Sequence, residues 1–294
     1  MRVCRLGWIL NSEFRILNPV AYTNEMSAAV PRRTALVTGA SAGIGAALAR
    51  VFAAHGFDLV LTARREDRLQ ALADELRAAH GAHVHVIAAD LADPAAPARI
   101  FDETTKAGIT VDALINNAGY GLAGSFLDSP WDHHRDFVQV LITAVADLCY
   151  RFLPGMIARR RGWIINVASV AGLVPGSAGH TLYGASKSLV VKFSQSLGLE
   201  MMRHDIHVTA LCPGFTYSEF HDVNGMRSHV SQLPSWMWMD ADTVARQAYD
   251  AVMRGNLICV NGRVNRAMVL LARYVPEWIV NRVLKRVAKK FRRT

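Results

Sequence analysis

Cysteine is scarce in this chain of 294 residues, which has four of them at scattered positions: Cys4, Cys149, Cys212 and Cys259. No two of them form a Cys-x-x-Cys pair, and none stands at metal-ligand spacing from a histidine. This scarcity excludes a disulfide framework of the kind that small secreted proteins carry. We expect reduced, mostly buried thiols and a cytoplasmic location.

Long apolar runs are missing from the N-terminal region. Residues 1–25 include Arg2 and Arg5, but the longest apolar run there, residues 6–10, is too short for a signal-peptide core or a membrane span. Neither helical nor strand periodicity begins before residue 32. We expect residues 1–31 to be a disordered extension or the product of an upstream start codon, with translation beginning at Met26.

Acidic residues are outnumbered, 24 against 33 Lys and Arg, which gives a net charge of +9. The excess lies at the C-terminal end, because residues 263–294 hold ten Lys or Arg and one acid, Glu277. The rest of the chain is balanced, so we expect no nucleic-acid surface. With 51% hydrophobic residues, the chain has enough material for a large buried core.

Short apolar runs alternate with longer stretches of helical periodicity from residue 32 to residue 262. The runs predict seven strands, at residues 35–37, 59–62, 84–88, 113–115, 163–167, 207–211 and 257–260. Strands separated by helices form parallel sheets that helices cover on both faces. The predicted fold is a single-domain α/β structure with a doubly wound, seven-stranded parallel sheet, whose ligands bind beyond the carboxyl ends of the strands.

Two motifs carry the chemistry of this chain. Residues 38–45 read Thr-Gly-Ala-Ser-Ala-Gly-Ile-Gly between a predicted strand and a helical stretch, the setting of a glycine-rich loop that holds a pyrophosphate at a helix N-terminus. Tyr183 and Lys187 stand at i and i+4, so a helix would place them on one face. There the ammonium of Lys187 would favour the phenolate and lower the pKa of Tyr183. An ordinary surface pair on a helix is the alternative interpretation.

Together these motifs resemble those of the short-chain dehydrogenase/reductase family, in its single-domain branch with TGxxxGxG and YxxxK motifs. The resemblance covers about residues 32–262 and implies a Rossmann fold. Further family positions agree in order along the chain, at residues 90–91, 116–119, 166–169 and 213–214. The cofactor-binding residues that the resemblance implies are Gly39, Ser41, Gly43, Ile44, Gly45, Arg64, Arg65, Asp90, Leu91, Asn117, Ala118, Gly119, Tyr183, Lys187, Pro213, Gly214 and Thr216.

The end of the second predicted strand indicates which dinucleotide is bound. An acidic residue there accepts hydrogen bonds from the adenosine ribose in NAD-binding folds. Here Ala63 occupies that position, and Arg64 and Arg65 follow it. A guanidinium suits the 2′-phosphate of NADP(H). We expect NADP(H), with Arg64 as the main contact and Ser41 as a helper; arginines that merely solvate a loop are the alternative.

The resemblance implies that Tyr183 is the general acid or base, that Lys187 holds the nicotinamide ribose, and that Ser169 hydrogen-bonds the substrate oxygen. Ser169 stands 14 positions before Tyr183 rather than the family's usual 13, which a one-residue insertion within residues 176–181 accommodates. The family's Asn that supports a water beside the lysine falls here at Leu141, which cannot hydrogen-bond. We expect Leu141→Asn to raise reductive turnover.

Histidines supply no alternative chemistry in this sequence. His180 stands three residues before Tyr183 and is expected to line the entrance as a loop residue. His133, His134 and His221 have no partner at metal-ligand spacing, so we expect no metal.

The last two segments concern substrate and partners. Residues 215–239 are rich in aromatic residues and methionine without clear periodicity, and we expect a mobile apolar lid over the substrate. Residues 263–294 form a basic amphipathic tail, which could lie on an anionic membrane or dock on the protein body or a sister subunit. A homodimer or homotetramer is implied by the resemblance.

The predicted function is an NADP(H)-dependent oxidoreductase that interconverts a carbonyl and a secondary alcohol on a small apolar substrate. A 3-oxoacyl thioester reductase competes with it. From another class, a weakly catalytic NADP(H)-binding sensor or scaffold protein is the alternative, and Leu141 is the residue that favours it.

Overall fold

A computed structural model gives the fold of this chain, and it describes residues 32–122, 124–176, 178–179, 181–217, 234–275, 278–279 and 282. The expectations for Met26 and the rest of residues 1–31 lie outside the described residues. So do those for His180 and His221, for the middle of the expected lid, and for most of the tail beyond residue 275.

The described residues form one seven-stranded sheet in which every pairing is parallel. The sheet order is β3-β2-β1-β4-β5-β6-β7. The prediction of a doubly wound parallel sheet is confirmed, and each predicted strand lies at an observed one. The strands are β1 (Arg33–Thr38), β2 (Phe57–Ala63), β3 (Val84–Ala88), β4 (Val111–Asn116), β5 (Gly162–Val167), β6 (Ile206–Cys212) and β7 (Ile258–Val260).

Helices cover both faces of the sheet. Within the described residues they are α1 (Gly43–Ala54), α2 (Glu66–His80), α3 (Ala96–Lys106), α4 (Trp131–Val138), α5 (Ala144–Arg159), α6 (Thr181–Met201), α7 (Ala241–Met253) and α8 (Arg263–Tyr274). One core cluster contains residues of α1, α2 and α7, and the other contains residues of α3 to α6. Side chains of β1 point alternately to the two faces of the sheet and so contribute to both clusters. Ala35 and Val37 belong to the first cluster, and Leu36 belongs to the second.

A π-helical turn, Gln139–Thr143, joins α4 and α5 into one continuous helical stretch. This stretch, Trp131–Arg159, is long and apolar enough to cross a membrane by length and composition alone. Half of its apolar window is buried inside the protein, as expected of a core helix. Single π turns within α-helices occur frequently at functional sites.

The parallel register brings the ends of the central strands together. Asn116 at the end of β4 pairs with Asn166 in β5, and Val167 at the end of β5 pairs with Leu211 in β6. The segments that follow these strands therefore meet at one edge of the sheet, where ligands of doubly wound folds bind.

Most side chains of the last described helix, α8, are exposed. Asn265 is its one buried residue, whereas Leu270, Leu271 and Tyr274 are exposed. The helical stripe that the sequence predicts beyond residue 276 lies almost entirely outside the described residues.

Candidate active site

The glycine-rich loop between β1 and α1 has a backbone that excludes larger residues. Gly39 and Gly43 have φ of +66° and +55°, in the left-handed region that favours glycine. A Cβ at Gly45 would stand 2.3 Å from the carbonyl oxygen of Gly39. The residue before α1, Ala42, offers no side-chain cap, and the first turn holds no acid. The first amide groups of α1 are thus left for an anion, which fits the pyrophosphate of a dinucleotide.

Asn117 ties this loop to the end of β4. Its Nδ2 donates to the carbonyl oxygens of Thr38 at 2.9 Å and of Gly39 at 3.2 Å. In return, the hydroxyl of Thr38 accepts from the backbone amides of Asn117 and Ala118. Asn117 therefore fixes the shape of the glycine-rich loop in this structure, beyond any contact with a cofactor.

The two arginines after β2 occupy different places. Arg65 directs its Nη2 and Nε to the Ser41 hydroxyl, at 3.0 and 3.3 Å. The largely exposed Arg64 lies 3.9 Å from a carboxylate oxygen of Asp90. The sequence predicts Arg64 as the main contact of the 2′-phosphate with Ser41 as a helper, and the arginine that contacts Ser41 in the structure is Arg65. The reason is local: Arg65 is the extended residue directly before α2, and its side chain turns back to the glycine-rich loop.

Three further predicted positions lie at the same edge of the sheet. The Asp90 carboxylate accepts from the backbone amide of Ala92 at 3.0 Å and stays exposed, whereas Leu91 is buried. Gly119 faces Leu141, whose Cγ would lie 3.7 Å from a Cβ at that glycine.

Ser169, Tyr183 and Lys187 meet beside the end of β5. Ser169 directly precedes a short 3-10 turn, Val170–Gly172, and its hydroxyl accepts from the Ala171 amide. The Ser169 side chain lies close enough to the Tyr183 phenol to lower its pKa. The extra residue that separates them in sequence therefore leaves their contact intact, as the insertion argument predicted.

The pKa of Tyr183 shifts in the direction opposite to the one that the sequence predicts. Burial raises the pKa of the Tyr183 phenol, and the nearby Ser169 side chain lowers it by less. Lys187, 5% exposed, donates from Nζ to the carbonyl oxygen of Val167 at 2.8 Å. Its Nζ lies 5.8 Å from the centre of the Tyr183 ring. Burial outweighs any benefit of that ammonium, so the predicted lowering of the tyrosine pKa is wrong for this structure.

The lysine itself is the strongly perturbed group. Burial lowers the pKa of Lys187 from 10.5 to about 8, and a smaller effect of the Cys212 thiol opposes it. A buried amine with a pKa near neutrality is a common feature of functional sites.

The segment that follows β6, residues 213–216, lies next to the site at the same edge of the sheet. Thr216 is buried, and its hydroxyl donates to the Gly214 carbonyl at 3.1 Å. A Cβ at Gly214 would lie 2.4 Å from the Asn265 amide nitrogen, so α8 packs directly against the Pro213-Gly214 turn. Thr216 also forms a β-bridge with Met239, which joins the two described ends of the expected lid.

Sequence reasoning missed a buried polar network behind the site. Asn116 Nδ2 donates to Asn166 Oδ1 at 2.8 Å, and Asn166 Nδ2 donates to the Ser194 hydroxyl of α6 at 2.9 Å. Cys149 of α5 contacts both amides. The signal was an asparagine near the carboxyl end of each of two neighbouring apolar strands. The network holds α6, and with it Tyr183 and Lys187, against the sheet.

Tyr183 lines a small cavity. Its apolar lining includes Leu122, Phe126, Phe137 and Leu182. The polar members of the lining are Ser125, Ser129, His134 and Thr181. Within the described residues, no three His, Cys, Asp or Glu side chains converge as a metal site would require.

Comparisons with known proteins extend these observations. A family model described as short chain dehydrogenase matches residues 33–226. The chain is 39% identical over 184 residues to oxidoreductase UcpA of Escherichia coli strain K12. The aligned residues make up 62% of this chain and 69% of that protein.

Solved structures are similar over most of the fold. A short-chain dehydrogenase from Sphingobium yanoikuyae in complex with NADPH has 34% identity and a TM-score of 0.73, over 81% of this chain and 91% of that one. A short-chain dehydrogenase/reductase from Burkholderia phymatum in complex with NAD has 26% identity and a TM-score of 0.74, over 82% and 92%.

The family match spans the glycine-rich loop, Ser169, Tyr183 and Lys187, which the fold brings to one edge of the sheet. Both similar structures hold a nicotinamide dinucleotide, and the glycine-rich loop of this chain fits such a group. The chain therefore belongs to the short-chain dehydrogenase family of oxidoreductases, with NAD(P) as its cofactor.

Proposed function

We propose that this protein is an NADP(H)-dependent oxidoreductase that interconverts a carbonyl and a secondary alcohol on a small apolar substrate. The observation that carries the proposal is the closeness of Ser169 to the Tyr183 phenol, beside the buried Lys187 and at the wall of a partly apolar cavity.

The roles follow from the chemistry of these side chains. A reduced dinucleotide, when bound, would supply the hydride for the carbonyl carbon, whose π bond to oxygen breaks, and would itself become oxidised. Tyr183 donates its phenolic proton to the carbonyl oxygen, so the product is a neutral alcohol. The Ser169 hydroxyl donates a hydrogen bond to the same oxygen and stabilises its developing negative charge. Lys187 stabilises the phenolate that remains and holds a ribose hydroxyl.

The raised pKa of Tyr183 favours reduction over oxidation near neutral pH. A phenol with a pKa above its usual value keeps its proton and acts as a general acid. Oxidation of an alcohol needs the phenolate, whose population rises with pH. We therefore expect oxidation to require a more alkaline medium than reduction.

The preference for NADP(H) is supported by the pair of Arg65 and Ser41. A guanidinium and a hydroxyl in contact form a donor set that suits a phosphate. The position at the end of β2 is Ala63, which has no carboxylate to accept from a ribose or to repel a 2′-phosphate.

The experiment that tests the function is oxidation of NADPH, against NADH, with a panel of ketones, aldehydes and 3-oxoacyl thioesters. Turnover that prefers NADPH on apolar ketones, and falls at least a hundredfold in Tyr183→Phe, is the expected result. Activity restricted to the thioesters would favour the 3-oxoacyl thioester reductase. Undiminished turnover in Tyr183→Phe would contradict the role of the phenol.

A second candidate, an NADP(H)-binding sensor that turns over poorly, is favoured by one observation. Leu141, 1% exposed, places an apolar side chain in the π turn where the family has an asparagine that supports a water. Tight NADPH binding without turnover across the panel, and turnover restored by Leu141→Asn, is the pattern that this candidate predicts.

A further inference from the structure

His134 in α4 is a buried side chain that the reaction described above does not use. It is 6% exposed, and its Nε2 lies 2.8 Å from the carbonyl oxygen of Phe126. A carbonyl oxygen only accepts hydrogen bonds, so Nε2 carries the proton. In the neutral ring, Nδ1 then has a lone pair and acts as an acceptor.

This acceptor has no partner. Nδ1 of His134 is buried, and no group among the described residues donates to it. A buried polar atom left without a hydrogen bond destabilises the fold, and most such atoms in folded proteins are paired. The structure therefore maintains an acceptor that only a further donor can satisfy.

The ring is held in place by its neighbours. The Phe126 ring lies tilted against it at 4.8 Å between centres, and the Trp131 ring lies at 6.3 Å. With Nε2 also bonded to Phe126, the imidazole has little freedom to turn Nδ1 toward another partner.

His134 and Tyr183 line the same cavity. Phe126 and Trp131, which pack on the imidazole, are 40% and 67% exposed. Partly exposed aromatic rings can shift when a ligand enters. Such a shift would expose Nδ1 of His134 to that ligand.

We propose that His134 is a substrate-recognition residue whose Nδ1 accepts a hydrogen bond from a donor on the substrate, away from the reacting carbonyl. The inference rests on the proposed function and narrows its substrate class. The substrate is an apolar ketone that carries a hydroxyl or amine N–H on its body. Hydroxyaryl ketones are the simplest members of that class.

A pair of substitutions separates the two nitrogens. His134→Gln carries an amide nitrogen that can reach the Phe126 carbonyl as Nε2 does, but it has no acceptor at the position of Nδ1. His134→Asn is shorter and carries an oxygen near the position of Nδ1, without reaching Phe126. His133→Gln, on an exposed neighbour in the same helix, is the control.

The measurement compares kcat/KM for two aryl ketones of equal size, one with a ring hydroxyl and one with a methyl group in its place, with NADPH as reductant. We expect the native enzyme and His133→Gln to prefer the hydroxyl compound about tenfold, as one hydrogen bond to a buried acceptor allows. His134→Gln should lose that preference, and His134→Asn should keep part of it. Equal rates on both ketones in the native enzyme, or a preference that survives in His134→Gln, would overturn the inference.

Binding measurements keep the inference separate from the proposed function. If no compound of the panel, including these two ketones, is reduced, the proposed function fails, and the two ketones are titrated against the NADPH-loaded protein by tryptophan fluorescence. Tighter binding of the hydroxyl ketone that disappears in His134→Gln would still support the role of His134. Equal binding of the two ketones would overturn it.

Discussion

Burial of the charged Lys187 lowers the free energy of unfolding, because the ammonium loses its hydration in the folded protein. Lowering the pKa from 10.5 to about 8 corresponds to about 3 kcal/mol against the charged form in the folded state. Below pH 8 the lysine is protonated in both folded and unfolded protein, and the full penalty applies. Between pH 8 and 10.5 only the unfolded chain binds the proton, so stability rises with pH in that window.

We therefore expect Lys187→Met to raise the free energy of unfolding at pH 7 by about 1–3 kcal/mol while it abolishes activity, because it replaces a desolvated charge with an apolar side chain. Urea denaturation at pH 7 and pH 10 measures this, and the gain should shrink at the higher pH. Lys192→Met, on an exposed position of α6, is the control and should change stability little. A Lys187→Met protein that is less stable than the native one at pH 7 would contradict the argument.

Arg64 and Arg65 make the cofactor preference testable at single side chains. We expect Arg65→Ala to reduce the preference for NADPH over NADH by at least tenfold, because it removes the guanidinium that lies beside Ser41. Arg64→Ala should have a smaller effect, since that side chain is largely exposed and contacts Asp90. The ratio of kcat/KM for the two dinucleotides measures both. A larger effect of Arg64→Ala would instead support Arg64 as the main contact of the 2′-phosphate, as the sequence predicts.

At the scale of elements, the β1–α1 turn depends on the absence of a side chain at Gly45. A Cβ there would collide with the Gly39 carbonyl oxygen and, at 2.4 Å, with the Asn117 amide. We expect Gly45→Ala to weaken NADPH binding at least tenfold and to lower the melting temperature, because the turn and its tie to β4 must both shift.

NADPH fluorescence and thermal unfolding follow these two effects. Gly155→Ala in α5 is the matched control, since its nearest neighbour is the flexible end of Arg159 and alanine favours a helix. Native-like cofactor binding by Gly45→Ala would show that the loop tolerates a wider turn than this structure has.

The helices and strands also show which features could be predicted from the sequence and which could not. Fully apolar runs such as the one in β4 identify buried parallel strands, and the glycine spacing identifies the phosphate loop, because both patterns follow from local backbone requirements. Whether Arg64 or Arg65 contacts Ser41 depends on where α2 begins, which the sequence does not specify to one residue. The pKa of Tyr183 depends on burial by residues far apart in the chain, so a motif alone gave the wrong sign.

At the scale of the whole molecule, charge and exposed apolar surface coincide at the C-terminal end. The α8 helix exposes Leu270, Leu271 and Tyr274, and the sequence around and beyond it holds ten Lys or Arg against one acid. We propose that this end contacts an anionic membrane surface, with docking on a sister subunit of a homodimer or homotetramer as the alternative.

Flotation with vesicles that contain anionic lipid, at low and at high salt, tests the membrane contact. We expect association at low salt that is lost at high salt, because charges near a surface are screened within about 8 Å at physiological ionic strength. Leu271→Glu should weaken association further. No flotation at low salt, together with dimers or tetramers in sedimentation that Leu271→Glu dissociates, would assign this surface to a subunit contact.

The contact between Asn265 and Gly214 links that distant end of the chain to the catalytic centre. The amide of Asn265 fills the space that any side chain at Gly214 would need, and it is held there by a 2.8 Å hydrogen bond to the Asn261 carbonyl. A protease that cut the chain just after Gly262 would therefore leave a hollow beneath the Pro213-Gly214 turn. We expect loss of α8 to weaken dinucleotide binding first, because the Pro213-Gly214 turn would lose its support. Substitutions in α8 are therefore constrained by the active site.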